Sequence, residues 1–193
     1  MRGHFSDAAG LKLAAVSGDV VSVNTIAESI LSRHAGDDPR YHPLEAAAKE
    51  AAGARDLPGA SLAVARLLSH CGECHRNEGI TLELTEHPPP TPQTPLVLHY
   101  AHAVDRMWEG LVVPSPSAWE RGAERFGAAL VCGAPAGVPE HHALPSQYCN
   151  STLAISGAVR VATTADERAV AYADVLSMCA HCHETLAPTV GHH

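Results

Sequence analysis

The sequence predicts an all-α protein built as two tandem four-helix bundles, and three observations carry that prediction. Apolar residues recur at spacings of three and four along most of the chain, the period of a helix with one buried face. The composition suits closely packed helices: 46 per cent of the 193 residues are hydrophobic but only 4 per cent are aromatic, and alanine, the strongest helix former, fills much of the difference. Finally, one pentapeptide of the form Cys-x-x-Cys-His occurs twice, as Cys71-Gly72-Glu73-Cys74-His75 and as Cys179-Ala180-His181-Cys182-His183. Each copy closes a run of helical segments, so the chain divides into two halves that end alike.

In the first half, residues 2–16 form an apolar face from Phe5, Ala8, Ala9, Leu11, Leu13 and Val16. Gly18 suits a helix stop and Asp19 a restart. A second helix follows through Val23, Ile26, Ala27, Ile30 and Leu31, until Gly36-Asp37-Asp38-Pro39 breaks it. A third, alanine-rich helix is expected over 44–54 with Pro43 near its first turn, and a fourth from 59 delivers the first motif. The segment Pro88-Pro89-Pro90-Thr91-Pro92 is a stiff spacer, which divides the chain into a first unit at 1–86, a linker at 87–95 and a second unit at 96–193. The plan then restarts. One helix is expected from Thr94-Pro95 to Val113, and one capped at Ser117-Ala118-Trp119-Glu120 runs to about 130. A loop at 132–150 follows, then a helix over 151–162. A capping box at Thr164-Ala165-Asp166-Glu167 opens the helix that ends in the second motif. The motifs align at an offset of 108 residues, and His4-x-x-Asp7 aligns with His102-x-x-Asp105 at an offset of 98. That pattern reads as an internal duplication with an insertion in the second half.

The pentapeptide has specific chemistry. Two thiols one helical turn apart add across the vinyl groups of a haem, and the next residue's imidazole coordinates the iron. Zinc knuckles normally lie about 15–20 residues apart, whereas these motifs are 108 apart. The expectation is therefore two covalently attached haem c groups, on Cys71, Cys74 and His75 and on Cys179, Cys182 and His183. Haem attachment implies an exported, periplasmic setting, and the chain is read as a mature or trimmed form. In that setting Cys132 and Cys149, which bracket the inserted loop, are expected to pair in a disulfide.

A formal charge of −8 argues against nucleic acid, whose recognition needs clustered Lys and Arg. No apolar run is long enough to span a bilayer.

Because the motif comes last in each half, the halves resemble class II cytochromes c, the cytochrome c-prime and cytochrome c-556 group. That resemblance implies an up-down-up-down bundle with the haem held near one end by the last helix. In cytochrome c-prime the sixth iron position is open behind an apolar side chain, and in c-556 relatives a methionine near the start of the first helix fills it. This chain departs from both, since histidines stand in that region. Antiparallel topology brings the starts of the first and third helices to the haem end. His4 is then the leading sixth ligand in the first half, with Met1, His34 and His42 as rivals. In the second half His102 leads, with His99 as rival. Met107 is expected in the core, Met178 is poorly placed, and His70 and His181 are not expected to ligate.

These residues lead to a dihaem electron carrier, not an enzyme, with both irons six-coordinate through histidine pairs and a redox protein as donor and acceptor. A gas-binding protein with one open haem is the alternative from the resemblance. A dihaem peroxidase using Glu140, His141 or His142 is a third. The linker joins the two haem ends, and these are expected to meet because a dihaem relay works only at short separation and because burying the two surfaces together shields both cofactors from water.

Overall fold

Capping chemistry sets most of the helix ends. The computed structural model describes residues 2–34, 39–82, 88–91, 94–129 and 146–186, and among these it is all-α, with eight α-helices and no strand. Helix α1 (Arg2–Val16) stops at Gly18, whose φ of 75° places it in the left-handed region. There the Asp19 N–H donates to the Ala14 carbonyl at 2.9 Å and the Gly18 N–H to Ala15 at 3.1 Å, closing a Schellman turn. Asp19 then opens α2 (Val20–His34), accepting from the Ser22 hydroxyl at 2.6 Å and the Ser22 N–H at 2.9 Å. The Ser22 hydroxyl first, and its N–H second, hold the Asp19 carboxyl below its ordinary pKa. A short 3-10 turn, Pro39–Tyr41, leads into α3 (His42–Ala52).

Helix α4 (Leu57–Asn77) begins at Leu57, two residues ahead of the expected start, because Asp56 caps it by accepting from the Gly59 N–H at 2.9 Å. Pro58 is tolerated there, since a first-turn N–H has no intrahelical partner. Helix α5 (Leu96–Val112) follows the proline-rich segment, of which residues 88–91 form no regular structure. Helix α6 (Pro116–Ala128) is capped by Ser115, which accepts from the Ala118 N–H at 3.3 Å; the expected cap at Ser117 lies inside the helix. Helix α7 (Ser146–Val161) starts ahead of the expected 151, so Tyr148 and Cys149 are helical. Helix α8 (Ala165–Leu186) has the expected capping box: the Glu167 N–H donates to Thr164 Oγ1 at 3.2 Å and the Thr164 N–H donates to the Glu167 carboxylate at 3.0 Å. Cys132, Glu140, His141 and His142 lie outside the described residues.

Within each half, neighbouring helices pack on one another, and the first also packs on the fourth: α1 on α2 and α4, α5 on α6 and α8. The halves in turn share a seam, where α4 packs on α8 and α5, and α1 packs on α8. The sequence carries the mark of this. Ala63-Val64-Ala65 on α4 and Ala171-Tyr172-Ala173 on α8 are consecutive buried residues, and a helix buried on successive residues is enclosed on more than one side. Alanine keeps such a contact close. Across the seam, Phe5 meets Trp108 edge to face at 5.4 Å, and Lys12 pairs with Asp105 at 2.5 Å and lies 4.8 Å from the Trp108 ring; within the second half, Tyr172 donates to the Val104 carbonyl at 3.3 Å.

The direction of the seam overturns one expectation. Helices α4 and α8 run antiparallel. A Cβ added at Gly18, at the end of α1, would stand 3.5 Å from the Cβ of Ala180, near the end of α8. Burial, chiefly, lowers the pKa of Arg168 at the start of α8, and the charge of Arg76 at the end of α4 adds to that. The motifs at the ends of α4 and α8 therefore lie at opposite ends of the seam. Helix α5 gives the scale: the second motif acts on Tyr100 and the first touches Leu111 and Val112, about 17–18 Å apart along the helix axis. The linker joins two motif-bearing ends in sequence, but the helix pair that carries the motifs separates them.

Candidate functional site

The first motif forms one wall of a cavity of about 280 Å³. Cys71, Cys74 and His75 enter from α4, Phe5 and Ala8 from α1, and Pro43 and Leu44 from α3. Ile80, Leu82 and Val112 add apolar surface, and Arg40 and Tyr41 contribute polar groups. The starts of α1 and α3 thus meet the end of α4, the convergence that an antiparallel arrangement produces. Arg40 reaches Glu78 at 3.6 Å with a side chain 60 per cent exposed, so it stands at the rim. An apolar slot with thiols and an imidazole on one wall and a cation at its mouth fits a flat apolar macrocycle with anionic edge groups.

His75 carries the most informative contact. Its Nδ1 lies 2.8 Å from the Val112 carbonyl oxygen. A carbonyl only accepts, so Nδ1 carries the proton and Nε2 keeps the lone pair that can bind a metal. Burial, with the neighbouring Cys74 second, pushes the Cys71 thiol up to about 12.

The second motif sits among α5, α7 and the end of α1. Burial pushes Cys179 up to about 12 and raises Cys182. Tyr100 is pushed up to about 12, by burial first and then by those two cysteines. The Tyr148 ring meets His181 edge to face at 5.8 Å, and its hydroxyl donates to Thr185 Oγ1 at 2.6 Å. His183, the expected iron ligand, is exposed.

His4 lies in the first turn of α1. The ring nitrogens of His102 lie 3.2 and 3.4 Å from an Arg125 nitrogen on α6. Tyr100, the α5 residue beside the second motif, stands about 200° around the helix from His102. His99 is half-buried on α5 and His42 is exposed at the start of α3, whereas Met1 lies outside the described residues. Met107 is fully buried, and Met178 sulfur accepts from Thr152 at 3.3 Å. His70 pairs with Glu73 at 3.0 Å and His181 lies 3.7 Å from Glu184.

Cysteine positions weigh against a shared zinc site, because the two pairs stand at opposite ends of the seam. Among the described residues no group of three or more His, Cys, Asp or Glu side chains is arranged to hold a metal ion, and no helix is long and apolar enough to cross a membrane. Sequence reasoning missed the cavity's far walls. Arg40, Tyr41, Ile80 and Leu82 come from connecting segments, and Val112 acts through its backbone, which no residue type announces. No family model, curated protein or solved structure matches the chain.

Proposed function

We propose that this protein is a dihaem c-type cytochrome that carries electrons in the periplasm, each half a class II-like four-helix bundle with one haem c. The observation that carries this is the cavity whose wall holds Cys71, Cys74 and His75, with His75 anchored through Nδ1 so that Nε2 is free for iron. The cysteines tether the macrocycle by thioethers, and His75 and His183 supply the proximal nitrogens. His4 and His102 are the sixth ligands of this proposal, His102 by turning away from Arg125. Iron held between two such ligands supplies reversible one-electron chemistry, with a redox protein as donor and acceptor. Phe5, Ala8 and Leu44 keep water from the first site, and Arg40 meets the anionic edge.

Denatured protein is expected to give a pyridine haemochrome spectrum with two haems per chain and a mass increased by two haem groups. An unmodified mass after expression with a haem-attachment system would defeat the proposal. The apolar α1 lining, Phe5 and Ala8, favours one second reading, a gas-binding protein with an open first haem. Carbon monoxide added to the reduced protein separates the two: a fully shifted Soret band from one haem supports gas binding, and an unmoved band supports electron transfer.

A further inference from the structure

The group that orients His75 belongs to the other half of the molecule. Val112 is the last residue of α5, where carbonyl groups have no N–H one turn ahead to receive. A helix C-terminus also carries partial negative charge, so this oxygen is a strong acceptor. The neighbouring Val113 N–H donates to Glu109, one turn back, and leaves the Val112 oxygen to His75.

Gly72 makes the contact possible. A Cβ at that position would stand 1.9 Å from the Leu111 oxygen and 3.1 Å from its carbonyl carbon, far inside any real separation. The second motif has Ala180 in the same place, packed near Gly18. There the Leu13, Ala14 and Ala15 carbonyls near the end of α1 are already engaged: the Ser17 hydroxyl donates to Leu13 and Ala14, and the N–H groups of Ser17, Gly18 and Asp19 donate to Leu13, Ala15 and Ala14.

We propose that the Val112 carbonyl is a positioning group for the first haem, supplied across the seam, and that it makes the first haem the lower-potential member of the pair. This rests on the dihaem reading above. An acceptor on Nδ1–H increases the electron donation of the imidazole and favours ferric over ferrous iron. Because the acceptor sits on α5, the first site is complete only when both halves are packed together.

The test uses the full-length holoprotein. In spectroelectrochemical titration, two one-electron waves are expected. Gly72→Ala should move the lower wave to higher potential and leave the upper wave in place. In proton NMR of the ferric protein, the hyperfine-shifted Nδ1–H of His75 should exchange with deuterium more slowly than that of His183. Unmoved waves in the variant, or equal exchange at both histidines, would overturn the proposal. If Gly72→Ala does not load haem, the exchange comparison on the unaltered protein decides alone. Absence of covalent haem would remove the dihaem reading and this inference with it, whereas two bound haems with equal exchange would remove only this inference.

Discussion

The two motifs share a spelling and differ in almost everything around it. The first lies beside a cavity formed by the starts of α1 and α3, and its histidine is half-buried and tied to Val112. The second carries alanine at 180 where the first has glycine at 72, and its histidine is exposed. It leans on the aromatic start of α7 through Tyr148. In the proposed dihaem protein, the pentapeptide would specify which group attaches, while the surrounding helices would set how that group behaves. Removing the motifs one at a time tests this most severely. Cys71→Ser with Cys74→Ser, and separately Cys179→Ser with Cys182→Ser, should each halve the haemochrome absorbance. The two remaining single-haem spectra should differ, and identical midpoint potentials in the two variants would erase the contrast.

The sixth ligands sharpen it next. Replacement of His4 by alanine should turn one ferric haem high-spin in electron paramagnetic resonance and leave the other low-spin. Replacement of His102 should do the reverse, and an unchanged spectrum there would show that Arg125 keeps that ring from the iron.

Cross-linking differs as well. Thiol titration of the denatured, unreduced holoprotein should find no free cysteine. Loss of a Cys132–Cys149 link by Cys149→Ser should cost about 3 kcal/mol in the chain-entropy account, measured by denaturant unfolding. That loss should not release the second haem, because no motif residue lies in the loop. Cys149 follows Tyr148, which contacts His181 and Thr185, so in the proposed dihaem protein the second haem's spectrum should shift while the first stays fixed.

The smallest effect lies at the start of α8. Hydrogen bonds from the Thr164 and Thr163 backbone hold the Glu167 carboxyl down to about 2. A depressed acid supports folding above its unfolded value, about 4.3, and that support is lost as pH falls toward 2. Glu167 is fully exposed, so the expected change is slight. NMR should show the first turn of α8 fraying over that range, and the same turn in Glu167→Ala should not respond.

Much of this was legible in the residues. The helix periods, the Gly18-Asp19 stop and restart, the Thr164–Glu167 box and the placement of each motif on a terminal helix followed from spacing and capping chemistry. The start of α7 did not, because Tyr148 and Cys149 adjoin a segment without helical punctuation. The seam was misjudged for a different reason. A proline-rich spacer shows that two units are joined, but it does not encode how their faces meet. That information lay in the consecutive buried residues at 63–65 and 171–173, which exceed what one bundle face can bury. His102 was placed by its register with His4, and register does not report the Arg125 side chain that arrives from α6.

Antiparallel packing of α4 on α8 has the form of an isologous contact, the kind two copies of one subunit make about a twofold axis. The end of α4 meets the end of α5, and the end of α8 meets the end of α1. In a dimer of identical chains every such contact occurs twice, and no substitution can alter one site without altering its mate. With both halves on one polypeptide, the partner is always present whatever the protein concentration, and each half can change alone. Glycine at 72 and alanine at 180 are a difference that only the single-chain arrangement permits.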